Sequence, residues 1–242
     1  MNQKKAIIAL CLLVPVPSIG VIAAMIIFPD STLGSLIFGA SKLWVFALPI
    51  FWLKFVEKGT ISLSPPKNGG FGIGLLSGLL ISVLILVGYL IFGNFLIDSQ
   101  FLVKKLTEVG LASRGVYIAG AAYWILINSV LEEYLWRWFC VKQCRALMGP
   151  YPAAICSALF FTLHHIVAMS IYLGPVAVFL CSAGVFIGGA IWSAMYIRYR
   201  SIWPGYLSHA IVDLCIFGIG AAIIFGYPNF PTFKFNFNSP SN

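Results

Sequence analysis

Seven runs of about 20 apolar residues, at roughly 6–28, 34–56, 71–97, 116–139, 151–172, 175–197 and 202–226, leave this chain few ways to fold. A run of that length suffices to cross a bilayer as a helix. Only 9% of the residues are charged and 60% are apolar, with a mean hydropathy of +0.97. An ordinary soluble domain is about a quarter charged. The expected fold class is therefore all-α, a polytopic membrane helix bundle of about seven transmembrane helices.

The first run follows Lys4 and Lys5, as the apolar region of a signal peptide would. It is too long for that, carries Pro15 and Pro17, and no small-residue cleavage site closes it, so it reads as a retained helix. Basic residues in the short connections set orientation. One side holds Lys4, Lys5, Lys54, Lys58, Lys67, Lys142, Arg145, Arg198 and Arg200. The other holds Lys104, Lys105, Arg114 and Lys234, plus Lys42 if it snorkels outward from the start of the second run. The bias favours a cytoplasmic N-terminus, and a bacterial inner membrane is the expected location. The formal charge of +8 is then mostly positive-inside bias. Nucleic acid is not an expected partner, since no soluble basic face is present.

Between the runs, "SLSPPKNGG" at 62–70 is a polar loop. In "DSQFLVKKLTEVGLASRG" at 98–115, Leu102, Leu106 and Val109 share a face opposite Lys104, Lys105 and Glu108, which predicts an interfacial amphipathic helix. The ending "FPTFKFNFNSP" alternates Phe with polar residues and reads as an interfacial or disordered tail rather than a strand. The six cysteines lie in or beside the runs with no secreted disulfide framework. Cys140 and Cys144 share a helix face, and buried free thiols are the better reading than a metal site.

One stretch departs from this apolar pattern. "SVLEEYLWRWF" at 129–139 continues the run "GVYIAGAAYWILIN" with no loop between. Charged residues at mid-membrane cost roughly 2.5–3.5 kcal/mol each on insertion scales, so they are functional suspects by default. Arg137 is long enough to snorkel to the surface, but two glutamates about two turns before the helix ends are not. Glu133 and Arg137 stand at i,i+4, where a carboxylate and a guanidinium meet. Glu132 points about 100° away. One glutamate is neutralised in place and its neighbour is left free, which suits a general base.

Other intramembrane polar groups are few. His164, His165 and His209, the chain's three histidines, all fall inside predicted spans. Asp213 shares the face of His209 at i+4. A lone histidine on an apolar helix is more often a hydrogen-bonded core residue, but here all of them join an acidic pair and an Asp at comparable depth.

Glu132-Glu133-x-x-x-Arg137, Phe161-x-x-x-His165 and His209-x-x-x-Asp213 occur in that order. They resemble the three motifs of the CAAX protease and bacteriocin-processing family, the Abi-type glutamic intramembrane endopeptidases related to the type II CAAX prenyl endopeptidase. The resemblance covers about residues 116–226. It implies that Glu132 activates a water as general base, that His165 helps hold the water, and that His209 and Asp213 stabilise the tetrahedral oxyanion. Glu133 and Arg137 would order the site. Phe160-x-x-x-His164 fits the second motif equally well, and His165 is preferred from the family's usual flanking residues. Asn is common in the family where this chain has Asp213. An ionised Asp cannot donate to an oxyanion, so it would have to be protonated or instead orient a charged His209.

The implied activity is intramembrane endoproteolysis of a membrane-associated peptide or protein, in a polar cavity between spans four, five and seven. No cofactor or metal is expected, since HExxH is absent, although Glu and His can still assemble a metal site in space. The resulting organisation is 1–115 for N-terminal helices and the interfacial helix, 116–226 for the catalytic core and 227–242 for a short tail. Two rival classes are a proton-coupled transporter, which would use Glu, His and Asp as a relay, and a non-catalytic immunity or regulatory scaffold of the same fold. The absence of an inverted repeat speaks against the first.

Overall fold

A helix satisfies its backbone hydrogen bonds internally, which lipid cannot do for it, and the computed structural model is built accordingly. It describes residues 2–226, which leaves the Phe-rich tail and Lys234 outside the described residues. Among the described residues, seven helices are long and apolar enough to span a membrane: α1 (Gln3–Ile27), α2 (Thr32–Val56), α3 (Phe71–Leu96), α5 (Arg114–Arg145), α6 (Pro150–Ser170), α7 (Pro175–Tyr199) and α8 (Trp203–Phe225). The short α4 (Ser99–Glu108) lies between α3 and α5 with no residue buried, and Lys105 pairs with Glu108 at 2.9 Å on its outer face. No strand occurs among the described residues.

Local chemistry marks the helix ends. The side chains of Asn2, Ser31 and Asp98 accept from the backbone N–H groups of Lys4, Gly34 and Phe101, capping α1, α2 and α4. Proline occupies the first turn of α6, α7 and α8, where its missing N–H costs nothing. The loop before α3 is tied down rather than free: Ile202 N–H donates to Ser64 Oγ at 3.0 Å, and Ser201 Oγ donates to the Ser64 carbonyl at 2.8 Å. Contacts from Lys5 to the Val56 carbonyl, from Lys142 to Glu57 and from Asn68 to the Tyr199 carbonyl gather one end of the bundle.

Helices in lipid gain little from apolar contact alone, so small residues decide which faces meet. α3 packs on α8 through Gly74 and Gly78. A Cβ at 74 would meet the Pro204 carbonyl at 2.4 Å, and one at 78 would meet Ser208 Cα at 3.0 Å. Ser77 Oγ donates to Ser208 Oγ at 3.0 Å across the same seam. The dense core lies around the second half of α5, where Trp136, Phe139, Cys140, Cys144, Phe161 and Trp192 are buried. Outward faces are apolar and exposed, as at Leu84 and Phe179.

Candidate active site

The glutamate pair straddles a boundary in α5: Glu132 ends a single regular turn, Ser129–Glu132, and Glu133 opens the second of two flanking stretches of wider i→i+5 turns, Tyr123–Asn128 and Glu133–Val141. Such widened turns inside α-helices are frequent at functional sites. Glu133 and Arg137 are both fully buried, with Oε1 and Nη1 3.2 Å apart. Arg137 lies over the rings of Phe161 at 4.6 Å and Trp192 at 5.1 Å, and its Nη2 donates to the Gly189 carbonyl at 3.4 Å. Position 205 has no room for a side chain, because a Cβ there would sit 2.6 Å from Glu133 Oε2.

Glu132 has a different environment. Its side chain is 15% exposed, and it faces His164 Nε2 at 3.8 Å from Oε1 and His209 Nε2 at 3.7 Å from Oε2. Both separations exceed a direct hydrogen bond and are suited to a shared water. One ring nitrogen or carboxylate oxygen from each of Glu132, His164 and His165 lies within 4.8 Å of the others. His165 Nδ1 is 2.9 Å from the Phe161 carbonyl. A carbonyl only accepts, so Nδ1 carries the hydrogen and Nε2 of the neutral ring is an acceptor.

The preference for His165 over His164 is not mirrored in the geometry, which brings both rings to Glu132. Their ring centroids are 4.1 Å apart, and His164 stacks on Trp136 at 5.5 Å. Two side chains 100° apart on a helix diverge at Cα. Imidazoles reach several ångströms outward, though, and here both arrive at one carboxylate lying between their directions. His164 is thus as much part of the cluster as His165.

α8 closes the opposite side. His209 Nδ1 is 3.1 Å from Glu133 Oε1, while its Nε2 is 3.7 Å from both Glu132 Oε2 and Asp213 Oδ2. The arginine-paired carboxylate only accepts, so Nδ1 of His209 donates to it. Trp192 stacks on His209 at 4.1 Å and donates from Nε1 to Ser208 Oγ at 2.9 Å. Ser129 Oγ bridges Asp213 Oδ2 at 2.6 Å and the Trp124 carbonyl at 2.8 Å. Trp192, Gly205 and Ser129 escaped the sequence reading. Ser129 opens the quoted acidic stretch, but nothing in the linear sequence marks Trp192 or Gly205.

Two further expectations are corrected. The cavity of about 260 Å³ that reaches Glu132, His164 and His165 lies between α1, α2, α5 and α6, not between spans four, five and seven. His209 and the Glu133–Arg137 pair fill that other side, leaving His209 only 4% exposed. Lys42 does not sit at the start of its span either. It lies ten residues in from Thr32, lines the same cavity, and donates to Asn128 Oδ1 at 3.5 Å. Tyr172, just beyond α6, also lines the cavity, and burial raises its phenol above the ordinary value.

Residues 114–215 match the family model described as type II CAAX prenyl endopeptidase Rce1-like. Comparisons with curated proteins and with solved structures return no match.

Proposed function

We propose, from the match of residues 114–215 to the Rce1-like type II CAAX prenyl endopeptidase family model, that this integral membrane protein is a CAAX-type protease that cleaves a membrane-associated peptide by a glutamic mechanism. The observation that carries the reading is the unequal fate of two adjacent carboxylates. Glu133 is sealed against Arg137, while Glu132 opens to the cavity between two histidines.

A water bound by Glu132 and the His164–His165 pair attacks the scissile carbonyl carbon, and its proton passes to Glu132. Negative charge develops on the former carbonyl oxygen, where the Nε2 side of His209 supplies stabilisation. Asp213, anchored by Ser129 and 3.7 Å from His209 Nε2, orients a charged His209. On collapse the C–N bond breaks and Glu132 returns its proton to the leaving amine. Glu133 serves as a fixed acceptor that holds His209 in place. The natural substrate is a peptide carried to the bilayer, and the N-terminus is cytoplasmic.

The test is a comparison of membrane peptides from native-host cells expressing the wild type or Glu132→Gln. New termini should appear only with the wild type, and indistinguishable peptide sets would overturn hydrolysis.

The three-ligand grouping of Glu132, His164 and His165 favours a second reading, a metal-assisted hydrolase, since three protein ligands and an open position are the catalytic zinc arrangement. Under the glutamic mechanism EDTA and phenanthroline leave cleavage unchanged, and elemental analysis finds no stoichiometric metal. Reversible loss with zinc rescue would establish the metal instead.

A further inference from the structure

A second pocket, of about 320 Å³, opens at the end of the bundle where α3 and α8 begin and α5 and α7 finish. Lys67, Asn68, Trp138, Tyr196, Tyr199 and Arg200 line it, and among the described residues no carboxylate does. The hydrolytic cycle makes no use of it. Two more cations stand beside it. The charges of Arg145 and Arg200 both act on the Tyr196 phenol, and the Arg198 guanidinium lies 5.7 Å from the Tyr199 ring. Glu57 is the acidic side chain at this end, and it already accepts from Lys142 and, at 2.8 Å, from Gln143. Among the described residues Lys67, Arg145, Arg198 and Arg200 form no ion pair. Cations gathered around one hollow repel each other until an anion enters it.

The pocket is also preformed. Its loop wall is pinned by the Ser64 contacts to Ser201 and Ile202, and Asn68 Nδ2 donates to the Tyr199 carbonyl at 3.1 Å. Gly70, at φ 97, lies so close to Tyr199 that a Cβ would sit 2.7 Å from the ring. Arg200 ends α7 at φ 52 and ψ 34, with its N–H on the Tyr196 carbonyl. Helices that end in this left-handed turn ordinarily use glycine, because a Cβ is strained there. Glycine would make the turn with less strain, so what Arg200 adds is its guanidinium at the pocket mouth.

Arginine's planar fork and lysine's ammonium are the common partners of phosphate oxygens. Trp and Tyr side chains favour the membrane–water boundary, and basic pockets between spanning helices at that level receive lipid headgroups. We infer that this pocket binds a phosphate ester of net negative charge, held by Lys67 and Arg200 against the rings of Trp138, Tyr196 and Tyr199. Anionic lipid headgroups and soluble phosphate esters share this chemistry. The site is separate from Glu132 and stands whether or not the proteolytic reading does.

The test uses the full chain in maltoside micelles, with retained ligand read by mass spectrometry. The probes are dioleoylphosphatidylglycerol, dioleoylphosphatidylcholine and glycerol phosphate at equal concentration. Phosphatidylglycerol should be retained at least tenfold over phosphatidylcholine, whose choline cancels the phosphate charge. Glycerol phosphate retained as strongly assigns the site to soluble esters, and its absence assigns it to the headgroup. Lys67→Gln/Arg200→Gln should erase the retention. Lys104→Gln/Arg114→Gln removes the same charge at the opposite end of the bundle and should keep it. Arg200→Gly carries the test if the first double variant does not fold. It relieves the left-handed strain, so retention should fall severalfold while the melting temperature does not. Equal retention of both lipids without glycerol phosphate, equal losses in the two double variants, or retention untouched by Arg200→Gly overturns the proposal.

Discussion

Adjacent glutamates become chemically distinct here because of what each touches. Glu133 has Arg137 at 3.2 Å and His209 at 3.1 Å, all buried. Breaking such a pair strands a charge and costs roughly 3–5 kcal/mol. Glu133→Gln should therefore lower unfolding stability by about that amount. Glu132→Gln should abolish cleavage while leaving the melting temperature near the wild-type value. Equal melting temperatures for the two variants, or residual cleavage by Glu132→Gln, would refute this division. The histidines allow a second check. With both rings at the Glu132 carboxylate, His164→Ala and His165→Ala should each reduce kcat/KM by about 10²-fold or more, the usual scale for a proton-transfer partner. An unaffected His164→Ala enzyme would place that ring outside the proton-transfer step.

Elements hold these side chains through close approaches. α8 brings His209 to Glu133 only because Gly205 leaves 2.6 Å to Glu133 Oε2 where a Cβ would stand. Its other face is seated on α3 through Gly74 and Gly78. Gly205→Ala must move either the carboxylate or the helix, so activity should drop at least tenfold with a lower melting temperature. Gly88→Ala on α3 is the matched control, since a Cβ there meets nothing within 4 Å. Similar behaviour of the two variants in thermal unfolding and cleavage would mean that the α5–α8 approach is unimportant. The widened turns on either side of Ser129–Glu132 also belong to this scale, because they set where the pair faces.

At the scale of the whole molecule, α1 and α2 complete a cavity whose reactive wall comes from α5 and α6. Ala168 lines it near His164 and His165. Ala168→Trp should fill much of the space and raise KM at least tenfold, with the melting temperature unchanged. A normal KM would mean that the substrate reaches Glu132 by another route.

The set of spans, and the chemistry they carry, was already legible in the order of residues. Seven apolar runs became seven helices with boundaries mostly within a few residues, because hydropathy and length are properties of one segment alone. Span four is the exception, continuing to Arg145. The pairing of Glu133 with Arg137 was legible for the same reason, since i,i+4 neighbours meet within one helix. That both His164 and His165 reach Glu132, that Lys42 faces the cavity, and that Trp192 stacks on His209 emerged with the packing of the bundle. Those contacts depend on how helices rotate against each other. In lipid the outward and inward faces are similarly apolar, so hydropathy does not encode that rotation. It is set instead by small-residue seams such as Gly74, Gly78 and Gly205, whose partners lie far away in the chain.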